Sequence, residues 1–458
     1  MKPRIAPRIF SLLLAVLCLL APTGSAMAQY ENGPWEFSVQ DKKAKLLSYS
    51  GPAGSVTLPE YVTYTSNDII VPVTWHDAEL FAGYQGSLTN VVYSSQIESV
   101  IEATFENFSA LRTVSLPVGL SHIGKTAFQN CVSLYSINTQ NVSSIGASAF
   151  AGCISLRSID LSSLEILFSD TFNGCSSLQT ITFGPALRRV DGSAFIGTPI
   201  THLALPNGVT TIEGSFSGSS LTHFEFPDSV TSLPRGAFAG LEGQLESIHW
   251  PAGVTSVATN QFKGFTALKT VILPEGVKGV CHNSADFGAF QGCTGIEHMS
   301  FPNSLEVIGV SAFADCTSLR SVSFGSGLKT IRGNAFANTA LTVVYLPSGV
   351  TTVTNNAFPE GCVIICPGDS ATAAALKKAG LALTAPSVLD LPADVVAIEE
   401  GAFLGTDAEM VIIPEGCVSI GSRAFADMPN LRYVRVPAGT AVAADAFDGC
   451  NVVEYIEY

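Results

Sequence analysis

A repeat of about 22 residues constrains the fold of this chain more than any other feature of its sequence. Residues 145–185 contain one unit of the pattern A-F-x-G-C-x-S-L-x-x-I-x-L and the start of the next, so that Phe150 and Cys153 recur 22 positions later as Phe172 and Cys175. A unit this short cannot bury its own apolar face, and successive units must therefore stack and share one continuous core. The sequence predicts a repeat solenoid.

The phenylalanine of this pattern marks fifteen units. Twelve of these anchors are spaced 21 to 28 residues apart, and the last three are spaced 22 apart: Phe105, Phe128, Phe150, Phe172, Phe195, Phe216, Phe238, Phe262, Phe290, Phe313, Phe336 and Phe358, then Phe403, Phe425 and Phe447. A segment of the form L-x-x-I-x-L-P follows most anchors, and its alternation places the marked residues on one face of a strand. We therefore expect units of about 22–23 residues to form a parallel β-sheet on the concave face, with few helices.

The chain divides into five segments. They are a signal peptide (1–28), an N-terminal β cap (29–75), a main repeat array (76–361), a strand–helix insertion (362–383) and C-terminal repeats with a cap (384–458). The cap segment lacks the repeat and consists of short strand-like runs split by glycine and proline, which suits a cover for the first unit.

The sequence predicts one helix, which lies where the repeat is interrupted. Ser370 can cap its start, Ala371–Lys378 is rich in alanine, and two lysines fall in its last turn. Gly380 suits the position just beyond the end of a helix. The repeats resume after this insertion.

The first 28 residues have the form of a secretory signal peptide. Lys2, Arg4 and Arg8 precede an apolar run of about a dozen residues, and Ala26-Met27-Ala28 forms a small-residue cleavage site. The run is short for a membrane span, and no later stretch has 18 uninterrupted apolar residues. We therefore expect an exported protein, secreted or associated with the cell surface, with no transmembrane segment after cleavage.

The charge of the exported chain excludes one class of partner. Removing residues 1–28 takes away three of the 23 basic residues and none of the 38 acidic ones, which leaves a net charge of −18. Nucleic acid is a poor partner because phosphate binding needs a basic stripe. The basic side chains on strand exteriors are predicted to be scattered and to form no anion channel: Arg157, Lys269, Arg320, Arg432 and Arg435.

Six of the ten cysteines after residue 28 share one position in the repeat. They follow the anchor phenylalanine by three residues: Cys131, Cys153, Cys175, Cys293, Cys316 and Cys450. An even number of cysteines in an exported chain also fits a disulfide framework, and adjacent units about 5 Å apart would allow vertical disulfides. We favour a ladder of unbonded, buried cysteines that act as small apolar fillers.

Two units show the full repeat: Ile308–Phe324 (IGVSAFADCTSLRSVSF) and Ile420–Pro437 (IGSRAFADMPNLRYVRVP). They resemble the BspA-like leucine-rich repeats, and the resemblance covers roughly residues 80–458. It implies a curved, right-handed superhelix on exported surface proteins of host-associated microbes, several of which bind host matrix proteins or other cells. It carries over no functional residue, because every residue of the motif is structural.

The outward positions of the strands are where a binding site is expected. Most carry small hydroxyl side chains, but the middle of the array differs. His202 and His223 share one outward position on adjacent units, and Glu225 and His249 share the next. Side chains on neighbouring strands approach to about 5 Å. These four residues, the histidine patch, are compatible with a recognition site, a pH-sensitive site, a zinc site or an ordinary solvated stretch.

Enzyme chemistry has little support in the sequence. Cys281, His282, Asp286 and Cys293 form a second possible cluster, but we favour a loop that lies beside a buried cysteine. The chain contains no G-x-S-x-G elbow, H-E-x-x-H pair or glycine-rich phosphate loop, and an open sheet offers no obvious cleft. We therefore expect no catalysis, no cofactor and no bound metal.

Three functions remain open at this stage. The first is a secreted or cell-surface interaction module that presents its sheet face and loops to a protein or glycan of a host or neighbouring cell. The second is a self-associating structural component of the cell surface, of unknown oligomeric state. The third and remotest is a metal-dependent hydrolase that uses His202, His223 and His249.

Overall fold

The computed structural model describes residues 29–63, 69–283, 288–366, 370–381, 387–392, 395–451 and 453–457. Its central feature is a parallel β-solenoid in which equivalent strands lie about one repeat apart, as the pairing of Thr113 with Ser136 illustrates. The predicted solenoid is therefore confirmed. The proposed signal peptide and Asp286 lie outside the described residues.

The N-terminal segment forms a small mixed sheet with the strand order β1-β2-β3-β6-β5. Its strands are β1 (Gln29–Asn32), β2 (Trp35–Gln40), β3 (Lys43–Tyr49), β5 (Tyr61–Thr63) and β6 (Ile70–His76). Trp35 and Phe37 lie buried against the first turns of the solenoid. Phe81 stacks on Phe105 with ring centroids 5.8 Å apart, so the ladder of aromatic anchors begins one unit before the fifteen counted in the sequence.

The L-x-x-I-x-L segments form the strands of one wall, which we call the sheet face. The cap segment supplies the first of them, β4 (Ser55–Thr57), and the insertion supplies β30 (Val363–Ile365). In the main array they are β7 (Asn90–Val92), β9 (Thr113–Ser115), β11 (Ser136–Ile137), β13 (Ser158–Leu161), β15 (Thr180–Phe183), β17 (His202–Ala204), β19 (His223–Glu225), β20 (Ser247–His249), β22 (Thr270–Ile272), β24 (His298–Ser300), β26 (Ser321–Ser323) and β28 (Val343–Tyr345). In the C-terminal array they are β31 (Val388–Asp390), β33 (Met410–Ile412), β35 (Tyr433–Val436) and β37 (Glu454–Glu457).

Very short parallel strands form the opposite wall, in three sheets of six, five and three strands. Its strands are β8 (Ser99–Val100), β10 (His122–Ile123), β12 (Ser144–Ile145), β14 (Ile166–Leu167), β16 (Arg189–Asp191), β18 (Thr211–Glu213), β21 (Ser256–Val257), β23 (Gly279–Val280), β25 (Val307–Ile308), β27 (Thr330–Ile331) and β29 (Thr352–Val353), then β32 (Ala397–Ile398), β34 (Ser419–Ile420) and β36 (Ala441–Val442). A 3-10 turn, Gly192–Phe195, follows β16. All of these strands except β36 bury an aliphatic side chain against the core, as Ile123 and Ile145 do, whereas Val442 of β36 is only partly buried.

The anchor phenylalanines stack as a ladder between the two walls. The rings of Phe105 and Phe128, and those of Phe128 and Phe150, lie 5.3 Å apart at their centroids and are nearly parallel. Offset stacking at this spacing adds to the burial of each ring. The ladder therefore sets the rise of the solenoid from one unit to the next.

The cysteine ladder lies beside the phenylalanines, and its thiols are free. The Sγ of Cys153 donates to the carbonyl oxygen of Phe128 at 3.2 Å, and that of Cys175 donates to Phe150 at 3.1 Å. Each of these carbonyls already accepts the backbone N–H of the cysteine in its own unit, so the thiol adds a second hydrogen bond that joins adjacent units. Burial raises the pKa of Cys175 to about 12, so the thiolate that reacts with oxidants is scarce.

A left-handed turn follows the anchors and explains which residues occur there. After every anchor except Phe358, the residue two positions later has a positive φ, for example +76° at Gly174 and +59° at Asn130. Only glycine, asparagine and aspartate adopt this conformation readily. At Gly197 a Cβ atom would also lie 3.3 Å from the backbone of Gly174, so the close stacking of units adds a second reason for glycine.

The predicted helix is confirmed with its caps. Helix α1 spans Ala371–Lys378, and the Ser370 hydroxyl accepts the backbone N–H of Ala373 at 3.1 Å. Gly380 has a φ of +72° just beyond the helix end. No helix in the described part of the chain combines the length and apolar character needed to span a membrane.

Helix α1 covers the last turn of the main array. Leu376 is fully buried in the main core, and the Thr372 hydroxyl donates to the carbonyl of Pro347 while it accepts the N–H of Val350. A separate core begins at Leu391 in the C-terminal array. The expectation of one continuous core is therefore wrong, because the helix occupies the surface on which the next unit would stack.

Candidate functional site

The strands in the middle of the sheet face hold the histidine patch in the predicted register. Strand β17 pairs with β19 so that His202 lies opposite His223. Strand β19 pairs with β20 so that Glu225 lies opposite His249. The buried residues between them, Leu203, Phe224 and Ile248, point into the core, so alternation directs the patch outward.

The two histidines of adjacent strands stack on each other. Their ring centroids lie 4.2 Å apart and the rings are tilted by only 7°. The hydroxyl of Thr201 lies 3.0 Å from Nδ1 of His202, and that of Thr222 lies 2.8 Å from Nδ1 of His223. These contacts fix both rings in one orientation and present a flat, polar aromatic surface to solvent.

Glu225 and His249 form the second pair of the patch, one outward position along. They are register partners, but they are not among the six ion pairs that occur between described residues. Glu225 is exposed and His249 is half-buried. The carboxylate therefore remains available to an external partner.

The geometry offers no support for metal binding. Within the described ranges, no group of three or more histidine, cysteine, aspartate or glutamate side chains is arranged to hold a metal ion. The patch consists of two pairs at different outward positions instead of one convergent set of ligands. In the described structure, His202, His223 and His249 are therefore not gathered into one set of metal ligands.

In the second cluster, the thiols of the two cysteines make separate contacts. Cys293 donates its thiol hydrogen to the carbonyl oxygen of Phe262 at 3.0 Å, as expected of the cysteine ladder. The Sγ of Cys281 accepts the N–H of Ala289 at 3.3 Å. The two sulfurs therefore have different backbone partners, and both thiols are buried.

The end of the sheet face is covered, which the sequence analysis missed. Side chains that point outward from β28 and β30 pack against outward side chains of the C-terminal array. This docking contact consists of Val343, Tyr345, Val363 and Ile365 against Met410, Ile412, Tyr433 and Ile456. Met410 and Ile365 are fully buried in it. The two arrays therefore pack sheet face to sheet face.

The docking contact has a polar margin and borders a cleft. The guanidinium of Arg435 lies over the Tyr345 ring, 5.3 Å from its centroid. Beside this pair, a cleft of about 540 Å³ opens between the arrays and is lined partly by Ile272, Glu275 and Glu415. The expectation that the sheet offers no cleft therefore needs correction, because docking of the arrays creates one.

The solved structures that match the chain include two bacterial leucine-rich repeat proteins. A leucine-rich cell surface protein from Faecalibacterium prausnitzii A2-165 is 23% identical, with a TM-score of 0.41, and the match covers 76% of this chain and 97% of that one. A leucine-rich repeat protein from Bacteroides ovatus ATCC 8483 is 21% identical, with a TM-score of 0.44, and the match covers 93% and 99% of the two chains. No curated protein matches the chain.

The family assignment rests on a family model. The model of the BspA type leucine rich repeat region, which spans six copies of the repeat, matches residues 77–198, 188–285, 237–364 and 383–457. These matches cover well over half of the chain and include both the main and the C-terminal arrays. The chain belongs to the BspA-type leucine-rich repeat family.

Proposed function

We propose that this protein is a non-catalytic interaction module, secreted or held at the cell surface, that binds a protein or glycan of a host or neighbouring cell through its open sheet face. Membership of the BspA-type family supports an interaction role in general. The observation that carries the proposal is the histidine patch, where stacked imidazoles and an unpaired carboxylate stand on a rigid sheet.

The physical argument is one of preorganisation. The patch residues extend from strands whose intervening side chains are buried. Few side chains and no part of the backbone therefore need to become ordered when a partner binds. Imidazole rings supply both an apolar face and hydrogen-bonding nitrogens, and Glu225 supplies a negative charge. Such a surface suits recognition of a polar or basic macromolecular partner.

Binding of the purified full-length protein to extracellular-matrix proteins, glycans and intact cells tests the proposal. The patch variant replaces the four residues of the histidine patch with serine. We expect its binding to be weaker by about tenfold or more, because central, ordered contacts dominate the affinity of an interface. The matched control removes the flanking outward hydroxyls through Thr180→Ala, Thr182→Ala and Thr270→Ala, and it should bind as the wild-type protein does.

Each other outcome has a defined meaning. Equal binding by the wild-type and patch variants would exclude the patch and move recognition to the loops or caps. Absence of binding in both would contradict the adhesion proposal. Concentration-dependent sedimentation of the same preparations would then measure self-association, which is the property that a structural component of the cell surface requires.

A further inference from the structure

A polar groove lies at the opposite end of the sheet face from the docking contact. It crosses the residues that immediately precede strands β9, β11 and β13, and its volume is about 520 Å³. The residues that line it are two arginines, one tyrosine and three serines: Arg112, Ser133, Tyr135, Ser155, Arg157 and Ser177. No carboxylate lines this arginine groove, although the chain as a whole carries a net charge of −15.

The hydrogen-bonded ladder of the sheet face is interrupted once beneath the groove. Strands β4, β7, β9 and β11 form one hydrogen-bonded sheet, and β13 pairs only with β15. The ladder is interrupted in the same way between β15 and β17, between β22 and β24, and between β26 and β28. The side-chain amide of Asn138 extends the pairing of β11 with β9, since it both accepts the N–H of Leu116 at 2.7 Å and donates to its carbonyl at 2.8 Å. The groove therefore spans units on both sides of one interruption.

At the same position in two later units, the basic residue forms an ion pair with the preceding unit. Lys269 pairs with Glu246 of the preceding unit at 2.9 Å. Arg320 pairs with Glu297 in the same manner at 2.7 Å. Each of these basic side chains is neutralised by an acid one unit away, so they fit the expectation of scattered bases.

Arg112 and Arg157 do not form such ion pairs. Tyr135 occupies the unit between them, and neither guanidinium forms an ion pair or side-chain hydrogen bond with another residue of the described ranges. The two arginines are two units apart, or about 10 Å at the spacing of neighbouring strands. The sequence analysis did not consider Arg112, which lines the same groove as Arg157.

The remaining groups of the groove are suited to a sugar. The Tyr135 side chain is 55% exposed, which presents an aromatic face between the two positive charges. The Ser155 hydroxyl donates its hydrogen to the carbonyl of Val132 at 2.7 Å, so its oxygen is directed to accept from an external hydroxyl. Arginine binds carboxylate and sulfate-like oxyanions through paired N–H donors.

We propose that the arginine groove binds an anionic carbohydrate, with Arg112 and Arg157 on its sulfate or carboxylate groups and Tyr135 against a sugar ring. This inference rests on the proposed interaction role and names one ligand class for a different part of the surface. Two guanidiniums in a short groove are too few for a nucleic acid, whose backbone needs an extended basic stripe.

The test measures binding of the purified full-length protein to heparin, hyaluronan and neutral dextran oligosaccharides by calorimetry. Heparin carries sulfate and carboxylate groups, whereas hyaluronan carries carboxylate alone. Comparing the binding of the two sugars therefore shows whether the groove requires sulfate. We expect binding to at least one of them, no binding to dextran, and a loss of about tenfold or more in the double variant Arg112→Gln/Arg157→Gln.

A charge-matched control separates the groove from net charge. The double variant Lys125→Gln/Arg235→Gln also removes two exposed positive charges, but outside the groove, and it should bind as the wild-type protein does. The patch variant should also bind the anionic oligosaccharides as the wild-type protein does. Failure of this inference and failure of the proposed function are therefore distinguishable. Equal weakening in both double variants would overturn the inference, and so would absence of binding to both anionic sugars.

A second variant tests the carbohydrate part of the proposal. Tyr135→Ser keeps both guanidiniums but removes the ring. Because Tyr135 is exposed, the variant should fold as the wild-type protein does. We expect weaker binding of the anionic oligosaccharide and unchanged binding of inorganic sulfate. Unchanged binding of the oligosaccharide would overturn the assignment of a sugar at Tyr135.

Discussion

The middle and the end of the main sheet face follow the same repeat but carry different outward side chains. Strands β17, β19 and β20 present histidine, serine and glutamate side chains to solvent. Strands β28 and β30 instead present Val343, Tyr345, Val363 and Ile365 to the C-terminal array. The buried positions of both regions are similar aliphatic and aromatic residues. The difference shows that inward residues of a unit specify the fold, and outward residues specify what the unit contacts.

This comparison also identifies which surface is free to bind a partner. Tyr345 and Met410 belong to a contact within the chain, so the apolar end of the sheet face is not exposed for recognition. The histidine patch and the arginine groove lie on units that the C-terminal array does not cover in the docking contact. External binding is therefore expected in the first and middle parts of the main array.

The largest predicted effect is on docking. Met410→Ala removes a fully buried side chain from the contact and should lower the free energy of unfolding of the C-terminal array by about 2–5 kcal/mol. Thr270→Ala, at an exposed outward position, should change stability by no more than about 0.5 kcal/mol. Hydrogen exchange of β33 and β35 in increasing urea measures both variants. Equal effects would contradict the distinction between covered and open parts of the face.

A smaller effect is expected at the margin of the docking contact. Arg435→Gln removes the cation over the Tyr345 ring, and an interaction of this type contributes about 0.5–1 kcal/mol. Burial raises the pKa of Tyr345, while Arg435 opposes that shift, so the variant should raise the pKa of this phenol further. Ultraviolet titration of the tyrosines measures the change. Arg432→Gln, which removes an exposed neighbouring charge, should leave the Tyr345 titration unaltered.

The smallest effect is expected on the open part of the face. The hydrogen bond from Lys269 holds the pKa of Glu246 below its usual 4.5. A depressed pKa means that the carboxylate contributes stability above pH 4.5 and loses that contribution as the pH falls through its folded value. Lys269→Gln should therefore return the pKa of Glu246 towards 4.5, with little change in melting temperature because the pair is exposed.

Nuclear magnetic resonance of the Glu246 carboxyl carbon measures this pKa directly. A large loss of stability in Lys269→Gln would show that charges on the open face support the fold. That result would weaken the view that outward residues there are available for binding. An unchanged pKa would instead show that the ion pair is absent in solution.

The repeat made most of the fold predictable from sequence. Phe105 and its fourteen counterparts lie at equivalent places in the solenoid, and the alternation around Leu203 and Phe224 gives the register of the histidine patch. The helix was predictable because Ser370 and Gly380 mark its two ends. These features are local, so each unit carries enough information to place them.

The features that were missed depend on contacts between distant units. The strands of the opposite wall, such as Ser144–Ile145, contain too few residues to show a period. The docking contact left a signal, because outward positions change from hydroxyl to apolar at Val343 and again at Met410. Each residue by itself is an ordinary strand residue, and only the repeat register shows that it points outward.

Hydroxyl-radical footprinting of the intact protein, read by mass spectrometry, tests the central claim most directly. The claim is that the C-terminal array covers the end of the sheet face and leaves its first and middle parts open. We predict oxidation of Tyr135 and His202, which are exposed, and protection of Met410, which is fully buried. Oxidation of Met410 as fast as in the unfolded chain, with Tyr345 equally modified, would contradict the claim.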